Sequence, residues 1–231
     1  MKKLLSILLP TLTLTACGSV AIMDKSAEIS AQPELMIKTD GDFWGLGQEG
    51  NFDLAGLYKG KYSRNSSSST WFDTVSFKDG ELAAEITRND NNEQWQLVCS
   101  GGGTSVNYMG VQFGGNAPYR CNISQAGNEV GEFVLEAKSE MIKISLEKKE
   151  TGFIRLGSTH YNVETVHSSK DLLMAVENPL GYSFTQGAEQ VAATQTNGML
   201  TLQMLPNLTD AQKDTLVIGS IASALSWRPE D

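Results

Sequence analysis

From Leu216 to Trp227 the chain carries no charged residue on any side of a helical projection, and its only polar side chains there are small serines. Just upstream, Thr209-Asp210-Ala211-Gln212 matches a capping box, in which the threonine oxygen accepts an amide one turn on and the glutamine reaches back. Pro229 supplies the stop, so the pattern predicts a helix over 209–227. A helix uncharged all round is a buried helix. Its apolar stretch is too short to cross a bilayer, so the burial must be in protein. Gly219, Ser220, Ala222, Ser223 and Ala224 let the surrounding elements approach closely.

The elements available to surround it read as strands. Short alternating or apolar runs recur at Leu57–Tyr62, Thr70–Phe77, Leu82–Thr87, Gln94–Cys99, Tyr108–Phe113 and Tyr119–Ile123. They continue at Glu132–Ala137, Met141–Lys148, Phe153–Leu156, His160–Val166, Tyr182–Thr185, Gln190–Thr196 and Met199–Leu205. Asp79-Gly80 and Asn197-Gly198 are the strongest hairpin signals. Ser168–Asn178 reads equally as a short helix capped by Ser168 and Asp171 or as a strand over Leu172–Val176. Such spacing predicts a mainly β chain: an antiparallel barrel or sandwich of about twelve strands with one buried C-terminal helix.

The order of many antiparallel strands followed by one apolar helix resembles the tubby-like fold. The run Pro179-Leu180-Gly181-Tyr182-Ser183-Phe184, leading to Val191-Ala192-Ala193, shares in that resemblance. It implies a barrel wrapped around the helix over roughly residues 55 to 228. The cationic phosphoinositide pocket of the animal members has no counterpart in this sequence. A sandwich with a packed helix is the competing architecture.

At the other terminus, Met1, Lys2 and Lys3 precede a short apolar run, Leu4–Leu14, and then Leu14-Thr15-Ala16-Cys17. A positive start, an apolar run too short to span and small residues at the cut make a secretory signal. The last four residues resemble the lipobox of bacterial lipoproteins. That resemblance implies cleavage before Cys17, acylation of Cys17 and stable anchoring by two or more acyl chains. Gly18, in place of an aspartate that favours inner-membrane retention, implies the outer membrane of a Gram-negative envelope. The expected organisation is a signal peptide over 1–16, an anchor and flexible linker over 17–42, and a single β-rich domain over 43–231. Within the linker and its border, Asp40-Gly41-Asp42-Phe43-Trp44-Gly45 only partly matches a calcium loop: Trp44 occupies a ligand position, and Asn51 stands where a bidentate glutamate belongs.

The chain has 18 Lys and Arg against 27 Asp and Glu, and loss of Lys2 and Lys3 makes the mature balance more acidic still. An acidic surface repels phosphate backbones and anionic headgroups, which counts against nucleic acid and charge-driven lipid binding. With Cys17 lipidated, Cys99 and Cys121 remain, and in an oxidising compartment two such cysteines are expected to pair. Free thiols and a catalytic cysteine are the rival readings.

Recognisable catalytic motifs are missing. Gly181-Tyr182-Ser183-Phe184-Thr185 lacks the last glycine of a nucleophile elbow, and no H-E-x-x-H or Walker loop occurs. The two histidines, His160 and His167, have an odd separation that puts them on opposite faces of a strand. His167, Ser168 and Asp171 are a conceivable nucleophile group, although sequence neighbours rarely adopt triad geometry. Glu132 and Glu136 share one strand face, and Trp44, Trp71, Trp95 and Trp227 are candidates for core or a groove. No metal or cofactor is expected. The reading is a membrane-anchored envelope lipoprotein with a non-catalytic binding or structural domain and a protein or envelope component as partner. The alternatives are a carrier of a lipid or hydrophobic ligand, and a hydrolase without a motif.

Overall fold

A computed structural model of the chain describes residues 20–40, 49–63, 82–101, 118–137 and 148–226, together with the backbone of two short strands at 106–108 and 111–113. Among the described residues, fourteen strands and two helices follow in chain order. The first are α1 (Ala27–Ser30), β1 (Leu35–Thr39), β2 (Glu49–Leu54), β3 (Tyr58–Ser63), β4 (Leu82–Arg88) and β5 (Gln94–Ser100). Then come β6 (Val106–Tyr108), β7 (Val111–Phe113), β8 (Tyr119–Gln125), β9 (Asn128–Ala137) and β10 (Glu150–Leu156). The chain ends with β11 (Thr159–Val166), β12 (Gly181–Gln186), β13 (Glu189–Gln195), β14 (Thr201–Met204) and α2 (Asp210–Ser226).

Twelve of these strands close into one antiparallel barrel, so the sandwich alternative falls. Alternation decides the wall: along β8 and β11 every second residue is buried, and the inward row runs through Leu135, Val163 and Phe184. Closure comes from β1, which pairs with β2 on one side and with β14 on the other, Met36 opposite Thr201. The turns at one rim are short: 55–57, 89–93, 126–127, 157–158 and 187–188. The other rim carries the longest spans between barrel strands, including 40–48, 101–118 and 167–180.

Helix α2 enters at the short-turn rim and fills the barrel. Leu216, Val217, Ile218, Ile221 and Leu225 are fully buried, each contributing about 1.5–3 kcal/mol relative to exposure. Gly219 lies where a Cβ would come within 2.8 Å of the Phe184 ring and 3.1 Å of Ile154, so the wall closes on the helix at its smallest residue. Ser220 Oγ donates to Leu216 O at 2.8 Å and accepts from Thr194 Oγ1 at 2.7 Å, whereas the buried Ser223 hydroxyl has no partner among the described residues. At the far end Tyr119 donates to Ala222 O at 3.2 Å. The capping box forms, with Thr209 N donating to Gln212 Oε1 at 2.9 Å and Gln212 N to Thr209 Oγ1 at 3.4 Å.

Four expectations need correction. The segment read as linker up to residue 42 is partly built into the fold: α1 packs on the wall and β1 is a barrel strand, so the barrel begins at Leu35. Strand β2 was unread; it alternates Gly50, Phe52 and Leu54 inward, and glycine hides one of its three core positions. The single strand expected over Tyr108–Phe113 is two strands paired with each other, Tyr108 opposite Val111. Ser168–Asn178 is neither helix nor strand, because Leu172 and Val176 both turn onto an outer hydrophobic cluster. The Asn197-Gly198 hairpin is present with a wider turn, Gly198 at φ +80°. The expected strand over Thr70–Phe77, the Asp79-Gly80 turn, most of Met141–Lys148 and Trp44, Trp71 and Trp227 lie outside the described residues.

Truncation inside the plug and crowding of it are both expected to destabilise. In urea unfolding, Ile221→Ala is expected to cost about 2–5 kcal/mol and Gly219→Val about 1–3 kcal/mol.

Candidate functional site

The inside of the barrel is taken up by α2, so candidate sites lie at the rims and on the outer wall. Where α2 enters, Tyr58 at the start of β3 donates to Asp214 Oδ1 at 2.6 Å. Arg88 at the end of β4 reaches Asp214 Oδ2 at 3.4 Å, Asp90 at 2.7 Å and Asp210 at 3.0 Å. Burial pushes the Asp214 carboxyl above its ordinary 3.8, against the pull of the Tyr58 hydroxyl and Arg88. Burial, and then the bond to Asp214, drive the Tyr58 hydroxyl far above its ordinary 10. Asp210, by contrast, is held below 3.8 by its bond to Arg88. Its position in the first turn of α2 also suits the helix dipole. The group is a latch that ties the N-terminus of the plug to the rim.

Cys99 and Cys121 stand directly opposite each other on β5 and β8, with sulfurs 2.04 Å apart and a sequence separation of 22. These strands are neighbours in the barrel but not in the chain, so the pair joins the two ends of the excursion that carries β6 and β7.

The histidines are far from a shared task. His160 faces out from β11 and stacks on Phe153, ring centres 5.4 Å apart. His167 is buried, with Nδ1 2.9 Å from Val176 O and Nε2 2.9 Å from Thr165 Oγ1. A carbonyl only accepts, so Nδ1 carries the proton; in the neutral ring Nε2 then accepts from the Thr165 hydroxyl. Val176 N donates back to His167 O at 3.0 Å, which makes the imidazole a staple across the irregular segment 167–180. Asp171 N is engaged by Ser169 Oγ at 3.2 Å, and Ser168 O accepts from Asp24 N at 2.9 Å. Both ring nitrogens of His167 are thus taken up by Val176 O and Thr165 Oγ1, and neither bonds Ser168 or Asp171.

On the outer wall, Glu132 accepts from Arg120 at 2.7 Å and from Arg155 at 2.9 Å. Glu136 lies in another row, opposite Thr151 and across it from Glu164. With Phe153 and Asn162 they line an open trough of about 680 Å³. Glu132 and Glu136 thus have different surroundings, one paired between arginines and the other in a row with Thr151 and Glu164. Trp95 is core, not groove. Among the described residues no cluster of His, Cys, Asp or Glu has metal-binding geometry, and no helix is long and apolar enough to cross a membrane.

The long-span rim has a different character. The strap of residues 20–34 is fastened along the outside of β12–β14: Gln195 and Asn197 side chains each donate to Ala21 O at 3.1 Å, and Met23 N donates to Gln195 Oε1 at 2.9 Å. Further along, Ser26 N donates to Gln190 Oε1 at 2.7 Å, and Gln203 Nε2 donates to Gln32 O at 2.6 Å. Met23 and Ile29 pack with Leu180 and Ala193 beneath the strap. Sequence reasoning missed it because its anchors are single glutamines on strands more than 150 positions away. No family profile, characterised protein or solved structure matches the chain, so the fold and these residues carry the functional argument alone.

The latch sets a pH signature. Because the Asp214 carboxyl is raised in the folded state, its contribution is complete below the ordinary 3.8 and is lost as pH rises through the raised value. Asp214→Asn keeps an acceptor for Tyr58 and removes that titration. The variant is expected to gain stability relative to the parent chain as pH rises from about 3.5 towards 7, ending within about 1 kcal/mol of it, whereas Asp214→Ala loses about 1–3 kcal/mol. Urea unfolding across that pH range checks both.

Proposed function

We propose that this chain is a lipid-anchored bacterial envelope protein, acylated at Cys17 and held at the outer membrane. Its barrel is a non-catalytic binding or structural body. The observation that carries the second half of the reading is the filled interior: the helix occupies the space in which a barrel protein would otherwise hold a ligand. The same observation counts against the carrier reading, and the engagement of both His167 ring nitrogens by Val176 O and Thr165 Oγ1 counts against a hydrolase. The Leu14-Thr15-Ala16-Cys17 run supports the anchor, and the acidic balance argues for a partner other than nucleic acid. A barrel wrapped around a C-terminal helix is what a tubby-like relationship would require, and we propose that relationship for the fold alone.

Intact-mass analysis of the membrane-extracted protein and of Cys17→Ala tests the anchor. The parent chain is expected to begin at Cys17 and to carry acyl chains that the variant lacks. An unacylated parent chain removes the anchoring reading. Native mass spectrometry of the same folded protein is expected to show no additional bound mass, and a stoichiometric lipid-sized adduct would restore the carrier reading.

A further inference from the structure

Among the described residues, seven large hydrophobic side chains are exposed, and five of them belong to the long-span rim: Val20, Ile22, Leu173, Met174 and Met199. The other two are apart, Met36 on the outer wall of β1 and Leu57 in a turn at the opposite rim. The five are brought together by the strap. Val20 packs against Gly198, where an added Cβ would meet its Cγ1 at 2.5 Å, and Gly198 is next to Met199. On the strap's other side, Asp24 N is bonded to Ser168 O, and Ile22 shares a hollow of about 290 Å³ with Lys170 and Asp171.

The outward pose of Leu173 and Met174 is built, not incidental. Their neighbours Leu172 and Val176 are drawn onto the cluster with Met23, Ile29 and Leu180, and the His167 staple fixes Val176. That leaves Leu173 fully exposed, at 106 %, and Met174 at 70 %. Single exposed apolar residues are ordinary, but a set gathered at one end of a barrel requires a counterpart.

The position of Cys17 supplies it. Only Gly18 and Ser19 separate Cys17 from Val20, a reach of about 10 Å at full extension. We infer that this rim is a membrane-docking surface: with Cys17 acylated, Val20, Ile22, Leu173, Met174 and Met199 rest in the interfacial layer of the bilayer that holds the acyl chains. The inference rests on the anchoring reading above. An acylated Cys17 lies at headgroup level, and apolar side chains at an interface sink about 5–10 Å. The strap is bonded to the wall from Ala21 onward, so little slack remains to carry the barrel away. The contact is apolar, because Lys170 has Asp171 beside it and the chain as a whole is acidic.

Leu173→Trp and Met199→Trp place reporters on the rim, and Asn91→Trp places one in the exposed β4–β5 turn at the opposite rim. Each lipidated variant is reconstituted into neutral phosphatidylcholine vesicles with and without brominated acyl chains, and the signal of the four native tryptophans is subtracted using the parent chain. Intact mass of each sample reports whether Cys17 is acylated. If it is not, the same chain is coupled through the Cys17 thiol to a maleimide lipid, so that the surface is tested with the tether supplied and the two readings fail separately. Bromine is expected to quench the 173 and 199 reporters at least threefold more than the 91 reporter, with a blue shift in emission. Equal quenching at all three positions overturns the inference and assigns the apolar rim to a protein partner or a second copy. Thermal unfolding of each variant confirms that the fold is kept.

Discussion

An uncharged helix inside a closed sheet is the contact on which everything else in this molecule depends. Twelve strands that close on themselves have no unpaired edge, which removes the usual route by which β proteins associate. Closure also creates an interior that must be filled at close-packed density, and the chain fills it with its own last element. The helix meets that demand with small residues where strands press closest, as at Gly219 against Phe184, and with branched residues where there is room. Ser220 and Ser226 return their hydroxyls to helix carbonyls, whereas the buried Ser223 hydroxyl has no partner among the described residues. Occupation of the interior moves any binding role to the outside.

The two rims divide the remaining work. The short-turn rim holds the latch of Tyr58, Arg88, Asp210 and Asp214, which fixes where the plug begins. Asp214 is an expensive group to bury, and its partners offset that cost through a hydroxyl donor and a guanidinium shared with more exposed carboxylates. The opposite rim gathers the longer spans, the fastened strap and the apolar side chains inferred to meet lipid. A barrel whose N-terminal segment is bonded to its wall would transmit the position of the anchor proposed at Cys17 to the whole body. A flexible linker would have averaged that position away.

Most of the wall was readable in order, because a strand announces itself by alternation over a few neighbours. Met199–Leu205 and Gln190–Thr196 were found this way, and their hairpin from Asn197-Gly198. Elements whose evidence is not local were missed. Strand β1 shows one buried residue, Ile37, and has no meaning as a strand until β2 and β14 are placed on either side of it. The candidate surface was legible only in pieces: Cys17 was identified from its flanking residues, whereas nothing near Leu173 or Met199 says that they end up at the same rim.

The sequence alone determined that the C-terminal helix must be buried in protein and that antiparallel strands would do the burying. Those conclusions follow from periodicity, capping and charge within windows of a dozen residues or fewer. Tertiary structure decided that the sheet closes as a barrel, that Arg88 meets Asp214, that residues 20–34 lie against the wall, and that five of the exposed apolar residues share one rim. Each of these joins positions more than 100 apart in the chain. Such pairings are selected by how the whole set of side chains packs, a property that no local window contains.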